Sequence, residues 1–428
     1  MTLVVEPRSR YPSDVASSLP LQVSRPGVLP RQLIQRLVRD GVITSDVEIE
    51  DKNIQPASLD LTLGDVAYRL RCSFLPSNER VRDKLSTYEM GQLDLRGPGA
   101  VLEQNRPYLI PLRERLDLPP GVRGRTNPRS STGRLDVFTR VITDQGNHFD
   151  DIRDGYSGEL FLEVVPMSFT IRLKAGLTLN QLRLTVGQSR LHDDELVALG
   201  GQDPIVYPGV SSEPGDEAVV SDGLFLSVDL SGDVVGFSGY RAKKMSGLLE
   251  MDKVNAYQVN DYWERLPAGD GRLVLDPDGF YLLVSRERVR IPPDFAAEMA
   301  AYDPTSGELR THYAGFFDPG FGDVPDGDWR GTPAVLEVRV HDVPFALEHG
   351  QRLCKLTFER MSSRPDQLYG SEFGSRYQRQ YLALPRQFLP DQKGKPKPRR
   401  MRGVEQRPLA LVSGGRYDLP PLPVTHRE

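Results

Sequence analysis

The residues best suited to chemistry lie in Arg129-Ser130-Ser131-Thr132-Gly133-Arg134, where two guanidinium groups bracket two small hydroxyls, a threonine and a glycine. Guanidinium forks bind phosphate oxygens in pairs, hydroxyls and loop N–H groups donate inward, and glycine lets the backbone approach a bulky anion. The pattern predicts a polyphosphate site. An ordinary basic turn has the same composition, so the choice rests on what else the chain carries.

The elements that must position this loop read as strands. Leu59, Leu61 and Leu63, and later Leu160, Leu162 and Val164, alternate with other residues between Gly, Pro, Asn and Asp clusters, which is the pattern of short β-strands. One short amphipathic helix is expected from Arg31 to about Asp40, ahead of Gly41. The chain also repeats itself. Tyr108-Leu-Ile-Pro-Leu-Arg-Glu-Arg recurs as Tyr281-Leu-Leu-Val-Ser-Arg-Glu-Arg, and Leu162-Glu163-Val164 recurs as Leu336-Glu337-Val338. Such long-range self-similarity implies two copies of one fold. Ser58-Leu-Asp60-Leu is expected to match Ser227-Val-Asp229-Leu. The resulting division is a flexible arm over 1–27, copy one over 28–192, a Gly/Pro-rich linker over 193–217, copy two over 218–385, and a basic, Pro-rich tail over 386–428. In that tail, Lys393 to Arg402 forms a basic cluster, read as a solvated segment.

With 428 residues and a net charge of −5, the chain is long enough for two or three domains and lacks the overall basic footprint of a nucleic-acid partner. No apolar run approaches the ~20 residues of a membrane helix, and the N-terminus has no signal-peptide order. A cytoplasmic location without membrane contact is expected.

A second stretch, Gln55-Pro56-Ala57-Ser58-Leu59-Asp60-Leu61-Thr62-Leu63-Gly64, chooses between the readings of the phosphate loop. Together the pair resembles the dCTP deaminase branch of the trimeric dUTPase-like superfamily, whose motifs Q-P-A-S-x-D-x-x-L-G and R-S-S-x-G-R both stand here unsubstituted. The resemblance implies a mainly β chain of two tandem dUTPase-like, jelly-roll-type β-barrel domains with short helices. It also implies hydrolytic deamination of dCTP to dUTP and ammonia, for dTTP supply. Mg²⁺ would accompany the triphosphate. Zinc is not expected, since Cys72 and Cys354 stand far apart and no C-x-x-C occurs, whereas the zinc deaminases need such a pair. Two other readings stay open: a bifunctional enzyme that carries dUTP on to dUMP, and a deoxynucleotide-binding regulator without catalysis. Because single-copy relatives are trimers with sites between subunits, a homo-oligomer with inter-domain or inter-subunit sites is expected.

The resemblance also nominates site residues, and these divide between the copies. Copy one has the phosphate side: Arg129, Ser130, Ser131, Gly133, Arg134 and Gln181, with Ser130 and Arg134 also nominated as catalytic. Copy two has Glu308 where Arg134 stood, but it carries Ala314-Gly-Phe-Phe-Asp318-Pro-Gly320, resembling the family hairpin that receives deoxyribose and base. By constant offset this hairpin matches Arg140 to Gly146 of copy one, which nominates Asp144 as well. Tyr369, Arg376, Tyr377 and Gln380 resemble the family's closing segment. Glu163 and Glu337 both occupy the position of the family's general base, a carboxylate that takes the proton of the attacking water. Two arrangements follow. Either the copies complement one another with Glu337 as base, or sites lie between copy-one domains with Glu163 as base.

Overall fold

The computed structural model describes residues 23–212, 216–301, 309–311, 315–323, 330–340, 342–370, 381–391 and 407–414. Ala314, Arg376, Tyr377, Gln380, the 302–308 segment with Glu308, and the 393–402 basic cluster lie outside them.

Strands dominate, and the same sheet is built twice. In the first half Glu89–Asp94, Val66–Leu70, Tyr108–Asp117, Ser157–Pro166 and Val137–Thr143 lie side by side in that order. In the second half Trp263–Pro267, Phe237–Ala242, Phe280–Val289, Thr332–Val340 and Leu309–Thr311 repeat it. Each half adds a second sheet centred on Thr178–Val186 or on Arg352–Arg360. Their inward residues form the core: Leu59, Leu61, Leu182 and Leu184 in copy one, and Leu224, Leu226, Leu356 and Phe358 in copy two, are all buried. The predicted helix spans Arg31–Arg39 and buries Ile34 and Leu37. Among the described residues no helix is long and apolar enough to cross a membrane.

The halves are packed into each other rather than strung apart. Copy one's apolar core continues into Trp263, Phe280 and Phe388, and Phe169 lies edge-on to Tyr262 and Trp263 at 5.8 and 5.5 Å between ring centroids. Ile171 and Arg172 pair in parallel with Leu249 and Glu250. Deep in the same boundary, the Asp136 carboxylate of copy one is ion-paired with Arg339 of copy two, a pair whose removal from water is offset only because both partners are present.

Strand registers correct two of the matches expected from sequence. Thr62 lies opposite Thr178, and Ser227 lies opposite Arg352; moreover Glu114 accepts the Thr62 N–H and Glu287 the Ser227 N–H, each at 2.8 Å. Thr62 therefore corresponds to Ser227, and the counterpart of Asp60 is Phe225, not Asp229. The second correction concerns the hairpin. Thr139 pairs with Val164 as Thr311 pairs with Val338, an offset of 172, whereas Ile152 pairs with Gly124 as Phe317 pairs with Ala297, an offset of 165. Copy one thus holds seven more residues between those points. Asp318 corresponds to Arg153 and Gly320 to Gly155, both glycines having positive φ, 94° and 62°. Asp144 has no claim to the Asp318 position.

Candidate active site

The phosphate loop leaves the end of strand Val122–Pro128 as a single helical turn, Ser130–Gly133. Arg129 is held by the second motif: its Nη1 lies 3.1 Å from Asp60 Oδ2 and donates to the Thr178 hydroxyl. Asp60 is buried and also accepts from Gln55 Nε2 at 3.2 Å. Burial pushes its carboxyl upward against the attraction of Arg129. Ser58 Oγ donates to Gln181 Oε1 at 3.4 Å. The Q-P-A-S-x-D segment is thereby a brace for the two phosphate-side residues nearest it.

Across the loop stands copy two. Arg134 Nη1 donates to the Ala383 carbonyl at 2.8 Å, and its charge reaches Glu337, on the strand Thr332–Val340. Glu337 is pushed up to about 8, first by burial, with Arg134 pulling it down and Asp136 pushing it further up. Its carboxylate lies so close beneath Gly133 that a Cβ there would come within 2.3 Å of Oε2. The glycine's close approach is therefore to the glutamate of the other copy.

Both faces line one cavity of about 980 Å³. Arg129, Ser130, Ser131, Arg134 and Gln181 come to it from copy one; Asp318, Glu337 and Tyr369 come to it from copy two. The Tyr369 ring lies 5.6 Å from that of Phe321. Asp318 is buried and pushed up to about 6, chiefly by desolvation, with Arg183 lowering it and Asp60 raising it.

Arg183 was missed in the sequence. From copy one it donates to the backbone carbonyls of Ala297 at 3.0 Å and Phe317 at 3.3 Å, lies 3.5 Å from Asp318 Oδ1, and stacks 4.0 Å over the Phe316 ring. It anchors the copy-two hairpin to the copy-one sheet. Its only signal was its place two residues after Gln181. Arg386, also missed, lines the same cavity and attracts Asp60.

Two nominated residues lie elsewhere. Glu163 is fully buried and its Oε2 accepts from Arg140 Nε at 2.9 Å and Nη2 at 2.5 Å, outside the cavity. Asp144 Oδ1 accepts the Val81 N–H at 2.7 Å, at the start of helix Val81–Tyr88. In copy two the position of Gln181 is held by Lys355, whose ammonium lies 4.9 Å over the ring of Phe225.

Comparison with known proteins agrees with this two-part construction. The profile for the 2'-deoxycytidine 5'-triphosphate deaminase (DCD) N-terminal domain matches residues 25–188, and that for its C-terminal domain matches residues 193–388. The crystal structure of 2'-deoxycytidine 5'-triphosphate deaminase from Agrobacterium tumefaciens is similar at 45% identity and a TM-score of 0.75, covering 82% of this chain and 99% of that one. The chain belongs to the dCTP deaminase family. Shorter similarities link it to the dCTP deaminase of Natronomonas pharaonis, 33% identical over 127 residues, and to the dCTP deaminase, dUMP-forming, of Halobacterium salinarum, 32% identical over 127 residues. Each match covers 29% of this chain and 60% of the relative's length. In this dCTP deaminase family member the cavity between the copies is the place where the matched motifs converge.

Proposed function

We propose that the chain hydrolyses the C4 amino group of dCTP, giving dUTP and ammonia, at one site assembled from both copies. The observation that carries this reading is the approach of the copy-one phosphate loop to Glu337 of copy two across a single cavity. Arg129, Ser130, Ser131 and Gln181 bind the triphosphate, and Mg²⁺ arrives on it as part of the substrate. On the protein side, the loop arginines meet the phosphate charge. The Asp318 hairpin receives the deoxyribose and base, and Tyr369 offers a ring to the base.

Glu337 then takes one proton from water as the C4–O bond forms and the C4=N3 electron pair moves onto N3. It delivers that proton to the amino nitrogen as the C4–N bond breaks and ammonia leaves; the remaining hydroxyl proton moves to N3, giving the 4-keto base of dUTP. A carboxylate with a raised pKa is suited to both transfers, and Arg134 beside it favours the ionised form that the first transfer needs. Since one chain supplies both halves, self-association is not required to join them.

Incubation with dCTP and chromatography of the products tests the reading. Equal amounts of dUTP and ammonia are expected. Release of dUMP and pyrophosphate would instead assign the dUMP-forming activity named for several relatives. Binding of dCTP without ammonia release would overturn catalysis altogether.

A further inference from the structure

Glu163 and Glu337 sit at the same strand position, opposite Leu109 and Leu282 in the neighbouring strand of each copy. Their surroundings differ completely. Glu337 faces the cavity, whereas Glu163 is sealed by Arg140, directly opposite it on the adjoining strand. The guanidinium gives two N–H groups to one Glu163 oxygen and a third contact to Ser73 Oγ at 2.9 Å. Its Cζ lies over the Phe149 ring, 3.6 Å from the ring centre, and over the Phe138 ring, 4.7 Å from its centre. Phe149 belongs to the longer connection that copy one alone carries.

A carboxylate at one edge and aromatic rings against the cation are the features that recognise a planar amidine or guanidine. We infer that copy one retains a base-sized pocket beside Glu163, and that the chain occupies it with its own Arg140. The ligand class of the opened pocket is a planar amidinium or guanidinium cation. This inference rests on the reading of Glu337 as the base only in treating Glu163 as its counterpart, and it limits the chain to one nucleotide site.

Chemical rescue of Arg140→Ala tests it directly. Stranding the buried Glu163 charge should lower Tm by about 5 °C or more. Guanidinium chloride and 2-aminoimidazolium chloride at about 10 mM should each restore several degrees relative to sodium chloride, because a ligand bound only to the folded state raises its stability. Neither should do so for the wild type or for the R140A/E163Q double variant. Folding of R140A only when guanidinium is present counts as rescue. A variant that gains nothing from either cation, or stays insoluble in both, overturns the inference; rescue by guanidinium but not by the ring cation reduces Arg140 to an ion-pair partner and overturns the pocket. Calorimetric titration of the wild type with dUTP should give one site per chain, and two would overturn it. No nucleotide binding at all would count against the proposed function while leaving the R140A melts to give their own answer.

Discussion

Gly133→Ala isolates the contact between the copies, because it adds one methyl group where the loop meets the glutamate. The backbone there is helical, so alanine introduces no torsional strain. A Cβ built on Gly133 lies 2.3 Å from Glu337 Oε2, 2.9 Å from Cδ and 3.0 Å from Oε1. To regain an ordinary contact of about 3.4 Å the carboxylate must retreat by about 1 Å, a misplacement that costs on the order of 100-fold in rate when it falls on a reacting group. Glu337 borders a cavity and has room to swing, so the fold should tolerate the change, with Tm within about 3 °C of wild type. Steady-state kinetics of ammonia release from dCTP, paired with thermal melts, measure both quantities. A kcat within about threefold of wild type at unchanged Tm would refute the placement of Glu337 as the group that moves the proton.

Glu337→Gln should lower kcat by at least about 100-fold, because the amide keeps the shape and loses the base, while Glu163→Gln, compared per folded molecule, should retain deamination; the reverse result restores the arrangement with Glu163 as base. With Glu337 pushed up to about 8, kcat/KM should rise with pH through about 8 as the carboxylate ionises, and E337Q should lack that limb. The stability sign is opposite: a folded pKa above the unfolded one stabilises fully below the ordinary glutamate range and is lost as pH rises through about 8, so wild-type Tm should fall between pH 5 and 9 more steeply than that of E337Q. Arg183→Ala strands Asp318 and Glu359, both ion-paired to it, and should destabilise the protein by about 3–5 kcal/mol, read as a lowered urea midpoint.

The repeat was legible because strand alternation kept its spacing: Leu162 and Leu336 do lie opposite Ile110 and Leu283. The hairpin was misplaced because a constant offset cannot see seven added residues, and Asp144-Gln-Gly146 imitates the Asp318-Pro-Gly320 pattern closely enough to hide them. The true counterpart, Arg153-Asp154-Gly155, lacks the aspartate at the first position. The phosphate loop and the Q-P-A-S-x-D segment were each readable alone, yet nothing in their spacing showed that Asp60 holds Arg129. Arg183 and the Asp136–Arg339 pair were invisible for a related reason. Their partners are brought together by the packing of two copies, 203 residues apart in the second case, and an arginine within a strand reads as a solvated residue until its neighbours are known.

On the proposed site each copy lacks a different half, and the physical form of each difference matters. In copy two the brace beneath the phosphate side is gone, since Phe225 replaces Asp60 and holds Lys355 over its ring. In copy one the base side is filled by Arg140 and Phe149, and Arg153 stands where Asp318 would be. In an assembly of identical single-copy subunits either change would strike every site at once, because each subunit must present both faces. Duplication within one chain removes that constraint, so a substitution harmful to one face can persist where only the other is used. It follows that emptying the Arg140 pocket exposes a site for a planar cation and no second catalyst: Phe225 would still leave the phosphate side of copy two without the carboxylate that positions an arginine.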